Sequence, residues 1–278
     1  MEDKNVQFWR MWAALLTYSV LLASTALAQP APTTNVLGRV LMVESRYDRG
    51  TIFSIDVDRR EYWITAKHIL TGAKHPPYGS IPSKSVPLHI LNPDAAQGEK
   101  WVPVNFNVID PGNDIDIVVL AASNLVLNAF LPNVSADSAG AVLGGDCEFL
   151  GFPYGGGWRA KPDNGQAFWM PYVKHCTVSA MATTEPTIWV LDGINNAGFS
   201  GGPVIYGTGP EQKIMAVVSG YVTEPTEIVS SAAAKKKPVA QAKKQTVNLN
   251  SGFIIAYDIK YAIEAINKNS IGPLRESK

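Results

Sequence analysis

The stretch NNAGFSGGPV, residues 195–204, sets Ser200 among three glycines and closes on Pro203. Glycine and proline punctuate turns, and serine is common in them, so the stretch alone is a shaped nucleophile loop or a Gly-rich turn with a capping serine. The rest of the chain decides between them. A serine hydroxyl acts as a nucleophile at neutral pH only with a base to take its proton, an acid to orient that base, and donors for the oxyanion that develops. Histidine is the natural base. The four histidines, His68, His75, His89 and His175, all precede Ser200.

That order excludes one reading. GFSGG also satisfies G-x-S-x-G, the nucleophile elbow of α/β-hydrolases, but there the histidine follows the serine and the elbow lies between a strand and a helix. Neither condition is met here.

The 278 residues are 46% hydrophobic and 17% charged, the composition of an ordinary globular protein. Lys+Arg and Asp+Glu are both 24, so no net field draws the chain to nucleic acid, which is not expected as a partner. Residues 1–28 read as a signal peptide. Lys4 and Arg10 precede the apolar run Met11 to Ala28, which ends in Ala26-Leu27-Ala28 before Gln29. Glu2 and Asp3 dilute the basic start, and about 18 apolar residues would also just span a bilayer as an uncleaved anchor. With cleavage after Ala28, the mature chain is expected in the periplasm or outside the cell, with no stable membrane span.

Export gives meaning to Cys147 and Cys176, the only two cysteines. An oxidising compartment would let them join, closing a loop of about 30 residues and stabilising the fold by roughly 3–4 kcal/mol. The alternative is two buried thiols. His175 adjoins Cys176, but no second Cys/His cluster has ligand spacing, so neither a metal nor a cofactor is expected.

From Gly38 onward short β-rich runs recur between turn residues: GRVLMVES, GTIFSIDVD, EYWITA, VPLHIL, WVPVNFNVI and DIVVLAA. A second set follows: AVLGGDCEFLGF, VKHCTVSAMA, TIWVL, GPVIYG, IMAVVSGYV and SGFIIAY. Their length and spacing predict antiparallel sandwiches or barrels, two similar units in one chain. A C-terminal helix over residues 258–269 is predicted from the stripe Ile259, Ala262, Ile263, Ile266, with Asp258 as its cap. Residues 223–250 contain SSAAAKKKPVAQAKKQ, low in large hydrophobes, and read as a mobile inserted loop; a basic contact site is the sharper alternative.

The order His, Asp, Ser, with ITAKHIL around His68, DIVVL from Asp116 and GFSGGPV around Ser200, resembles the chymotrypsin-like (trypsin-like) serine proteases. The chain looks most like exported bacterial peptidases of that family, similar to the protease domain of periplasmic heat-shock proteases without the appended peptide-binding domains. The resemblance implies an all-β fold of two six-stranded antiparallel β-barrels with a C-terminal helix. Residues 29–130 would carry His68 and Asp116, and residues 131–278 would carry Ser200. It implies an endopeptidase acting on protein or peptide substrates, with Ser200 as nucleophile, His68 as base and Asp116 as the orienting acid. The backbone N–H groups of Gly198 and Ser200 would form the oxyanion hole. Ile194 would floor the primary pocket and Ser219, Gly220 and Tyr221 would wall it. An apolar floor predicts apolar substrate side chains, although Asp192 is close in sequence.

His75 is a distant substitute for His68. Asp114 competes with Asp116, since both lie on one strand face; Asp116 is chosen because it directly precedes the uninterrupted apolar strand. Two departures stand out. Phe199 occupies the place where digestive relatives carry an aspartate that pairs with a newly cut N-terminus. Lys67 adjoins His68, where alternation should point it away. The rival reading is a catalytically inactive protease-fold binding module, and an esterase on the same scaffold is a third. Oligomeric state is not legible.

Overall fold

Residues 31–91, 100–127, 131–160, 167–228 and 246–275 are described by the computed structural model. The expected signal peptide lies outside the described residues. A helical turn α1 (Thr34–Leu37) leads into β1 (Val40–Glu44), β2 (Arg49–Val57) and β3 (Arg60–Thr65). A short helix α2 (Lys67–Thr71) follows, then β4 (Ser85–Leu91), β5 (Trp101–Ile109) and β6 (Val118–Ala122). These strands close a barrel in the order β1-β2-β3-β6-β5-β4.

The second half comprises β7 (Ser135–Ala136), β8 (Asp146–Gly151), β9 (Trp158–Ala160), β10 (Phe168–Met170) and β11 (Tyr172–Ala182). Next come β12 (Ile188–Asp192), β13 (Pro203–Tyr206), β14 (Lys213–Glu227), β15 (Thr246–Asp258) and helix α3 (Lys260–Lys268). Strands β13-β8-β11-β12-β15-β14 are closed by a β13–β14 pairing, with β7 appended to β14 and β9–β10 a separate ribbon. Numbering the six closing strands of each half in chain order gives the same sequence, 1-2-3-6-5-4, twice. The fold is therefore a chymotrypsin-like double barrel, and each of the twelve β runs of the sequence supplies one closing strand.

Alternation along the strands explains how the halves meet. On β6, Val118, Leu120 and Ala122 face the interior of the first barrel with Ile52, Trp63 and Phe106. The intervening Val119 and Ala121, with Phe53, Ile55 and Ile64, join Leu150, Phe152, Val217 and Tyr257 in a cluster that runs across to the second barrel and to Ile266 of α3. Each fully buried side chain of this size is worth about 1.5–3 kcal/mol, so the seam is a true core that fixes one barrel against the other. Beyond α3 the chain returns to the first barrel: Arg275 pairs with Asp56 and Glu61, and its N–H donates to Arg59 O (2.7 Å).

Cys147 and Cys176 face each other across β8 and β11, Cα atoms 5.0 Å apart, and are joined as a disulfide. The segment expected to be an inserted loop, residues 223–250, instead enters and leaves as strand. Thr223 to Glu227 pair with Asn250 to Thr246, extending the β14–β15 hairpin; residues 229–245 lie outside the described residues. Helix α3 is two residues shorter at its start than expected. Asp258 still serves it, accepting the Lys260 N–H at 2.8 Å.

Glu148 on β8 lies opposite His175 and Ile205, is 7% exposed, and its Oε2 has no hydrogen-bond partner among the described residues. Burial pushes its carboxyl up to about 7, against a smaller downward pull from His175. A folded value above the unfolded one near 4.5 means that Glu148 favours folding when protonated. That contribution is complete below about pH 4.5 and is lost as pH rises through about 7. Urea unfolding from pH 4.5 to 8 should therefore show the wild type losing about 1–2 kcal/mol more than Glu148→Gln, the linkage maximum being discounted for surface screening.

Candidate active site

The groups singled out by the sequence converge at the seam. Strand β3 ends at Thr65, and α2 begins at once, with its C-terminal Gly72 in the left-handed region (φ 78°) returning its N–H to His68 O at 2.7 Å. This one-turn helix holds His68 at the barrel's edge, 6% exposed. Asp116, two residues before β6, is 0% exposed. Its Oδ1 accepts the His68 backbone N–H at 2.8 Å, and its Oδ2 lies 2.7 Å from His68 Nδ1. A carboxylate there fixes the proton on Nδ1 and leaves the lone pair of the neutral ring on Nε2. Asp114, the alternative, is exposed, as are His75 and His89; His175 is 59% exposed on β11, beside Asp146.

The second barrel supplies the rest. Ser200 lies between β12 and β13, and its Oγ donates to the Ser219 carbonyl at 3.1 Å. Ser219, on β14, sends its own hydroxyl to Asp116 Oδ2 at 2.5 Å. Ser219 thus touches both sides of the site with separate groups, its carbonyl accepting from the Ser200 hydroxyl and its hydroxyl donating to the carboxylate that holds the His68 ring. Among the described residues Ser200 and His68 are not hydrogen bonded directly.

The loop that carries Ser200 is braced at nearly every peptide. Ala197 O accepts the Tyr154 N–H at 2.7 Å, which points the Gly198 N–H the opposite way within that planar peptide. Gly198 O accepts Thr51 Oγ1 at 2.7 Å, and Ser200 O accepts the Thr51 N–H at 2.9 Å. Gly198 has φ 104°, and a Cβ there would lie 2.3 Å from Phe152 O. The N–H groups of Gly198 and Ser200 donate to no acceptor among the described residues. Lys174 Nζ secures the loop's flank through Ile194 O and Asn196 Oδ1, each at 2.6 Å.

Phe199 is 0% exposed, edge-on to Phe149 with centroids 4.8 Å apart, so apolar packing occupies the place of the digestive enzymes' ion pair. Lys67 is fully buried and turned from the imidazole, held by Asp110 (2.5 Å) and the Gly112 carbonyl. Ile194, expected as the pocket floor, is 61% exposed with its side chain in solvent; its neighbour Asn195 is the buried one, at 1%. Ser219 is buried and Tyr221 is 40% exposed, Gly220 lying between them.

Sequence reasoning placed Ser219 in a pocket wall but missed its hydroxyl's bond to Asp116, and it missed Thr51 and Tyr154 altogether. Thr51 sits mid-strand in β2 with nothing nearby to distinguish it from any other buried threonine. Tyr154 does carry a signal, since YGGG marks an irregular turn, and its φ of 54° is left-handed.

The chain matches no protein-family model and no curated protein sequence. Solved structures do resemble it. One is a serine-to-alanine mutant of Rv3671c from M. tuberculosis H37Rv in its inactive form: 16% identity, TM-score 0.49, 90% of this chain and 96% of that one covered. Another is the HtrA-type protease AlgW with a tripeptide: 17% identity, TM-score 0.49, 85% of this chain and 63% of that one. A third is the serine endoprotease from Yersinia pestis: 16% identity, TM-score 0.49, 86% and 67% covered.

Proposed function

We propose that the protein is an exported serine endopeptidase that hydrolyses peptide bonds through Ser200, His68 and Asp116 by way of an acyl-enzyme. The observation that carries this reading is the buried, doubly hydrogen-bonded Asp116–His68 pair, tied through Ser219 to the Ser200 hydroxyl. Ser200 attacks the substrate carbonyl after its side chain turns from Ser219 O toward His68 Nε2. Catalytic hydrogen bonds often tighten in this way only when substrate is bound. His68 takes the serine proton and later delivers it to the leaving amine, while Asp116 holds the tautomer and favours the imidazolium. The Gly198 and Ser200 N–H groups receive the oxyanion. Phe199, packed in the core, leaves no aspartate before the nucleophile, so ordering of this loop by an ion pair to a newly cut N-terminus is not available. Export is part of the proposal; its support is the signal-like segment ending at Ala28 and the joined cysteines.

One observation favours the rival, a catalytically silent binding module: the resting Ser200 hydroxyl is bonded to a carbonyl and not to the imidazole. A fluorophosphonate probe separates the two. The exported protein, with Gln29 at its N-terminus, should be labelled at neutral pH, with the adduct on the Ser200 peptide, and should cleave casein; a Ser200→Ala control should stay unlabelled. A folded wild type that takes no label between pH 6 and 9 establishes the silent module, and ester turnover without peptide cleavage establishes an esterase.

A further inference from the structure

We infer that Tyr78 and Tyr257, one from each barrel, end a line of hydroxyls that reaches Asp116 through Ser219 and keeps His68 a free base toward lower pH. Both are positioning residues, since neither touches a reacting atom, and the inference rests on the peptidase reading above.

Tyr78 lies between α2 and β4 of the first barrel, and Tyr257 lies on β15 of the second, paired with Ile188 and Val217. Their rings meet edge to face with centroids 6.0 Å apart, and the Tyr257 hydroxyl donates to Tyr78 Oη at 3.2 Å. The Tyr78 N–H donates to Asn113 O at 2.8 Å, which ties this residue to the turn that runs into Asp116. The Tyr78 hydroxyl is also hydrogen bonded to Ser219 and lies in the field of Asp116, while Tyr257 senses both Asp116 and Asp114. Tyr78, Tyr257, Ser219 and Asp116 are all buried.

A count of protons gives the line its direction. Each hydroxyl has one to donate. That of Tyr257 goes to Tyr78 and that of Ser219 to Asp116 Oδ2, so the Tyr78 proton serves the contact with Ser219, whose oxygen accepts it. Burial pushes both phenols above their ordinary range, so both remain donors throughout the neutral range. Hydrogen bonds in such a line strengthen one another. The Ser219 proton is therefore held harder on Asp116, whose charge is better satisfied and draws less on the imidazolium. His68 then gives up its proton, and becomes the base that Ser200 needs, at a lower pH than it would beside a carboxylate less well served. The other charges near the ring are engaged elsewhere: Asp48 of the β1–β2 turn, which His68 influences, is paired with Lys74, and Lys67 is turned to Asp110.

The test follows the His68 ring through its titration by NMR in the mature protein, with the pH dependence of fluorophosphonate labelling of Ser200 beside it. His68 is assigned as the resonance that survives when the three exposed histidines, His75, His89 and His175, are changed to glutamine. In Tyr78→Phe both midpoints should move up by about 0.2–0.5 pH unit. Tyr257→Phe should move them the same way by less. The double variant, in which no phenol is left unpaired, should show the full shift of Tyr78→Phe and no more, because the outer tyrosine acts only through the inner one. A ring midpoint that stays or falls in Tyr78→Phe, or in the double variant, overturns the inference even if the protein melts earlier, since lost packing alone would do that. Single shifts that add in the double variant overturn it as well. If wild-type Ser200 resists the probe, the peptidase reading has failed while the ring titration still decides the tyrosines; if Ser200 is labelled and the ring midpoint is unmoved, only the tyrosine line has.

Discussion

Asp116→Asn should lower kcat/KM by about 10³–10⁴-fold while leaving the fold intact. Asp116 receives three donors: the His68 backbone N–H, His68 Nδ1 and the Ser219 hydroxyl. A carboxylate accepts all three. Asparagine has only one accepting end, so its NH₂ must face a former donor. If the NH₂ takes the place of Oδ2, the imidazole can meet it only with a bare Nδ1, and its proton moves to Nε2, where the base must instead have a lone pair. Steady-state kinetics on a casein-derived peptide, with a thermal melt beside it, check the expectation. A loss under about tenfold would mean that His68 does not depend on this carboxylate for its tautomer.

How much of this was legible follows from what each residue type can reveal alone. Glycines advertise a turn, so GFSGGP is legible as one, but the stretch alone leaves open whether its serine is a nucleophile or a cap. The order of His68, Asp116 and Ser200 is likewise a property of the string. The strand runs were legible because barrel and seam together bury both faces of β6, leaving a continuous apolar stretch. The distal β14–β15 ribbon was not. Its residues Thr223 to Glu227 and Thr246 to Leu249 are exposed, so no burial pattern marks them, and backbone pairing alone makes them strand. Asn195 against Ile194 was missed for a related reason: in an irregular loop no period tells which side chain turns inward.

Gly201→Ala should cost at least about 3 kcal/mol, because the added methyl meets backbone of the other barrel at a left-handed φ. Gly201 has φ 83°, and a Cβ there would lie 2.2 Å from Thr51 O, 2.2 Å from Thr65 Oγ1 and 2.8 Å from Ala66 N. These atoms belong to β2, the end of β3 and the lead-in to α2, the segment that carries His68. The missing side chain is what lets the serine loop of one barrel close on the histidine of the other. Pushing the loop back by the ångström or more the methyl needs would also strain Thr51 N–H to Ser200 O, so activity should fall further than stability. Chemical denaturation with parallel kinetics checks both; a variant of normal stability and turnover would show that the seam is more compliant than its packing implies.

Ser219, which meets Ser200 with its carbonyl and Asp116 with its hydroxyl, lies on β14, and β14 is held by β15, residues 246–258. Ser219 therefore keeps its place between the two barrels only while β15, the last of the described strands, is paired with β14. On the peptidase reading, loosening that final hairpin would part the halves of the site with every reactive side chain still present.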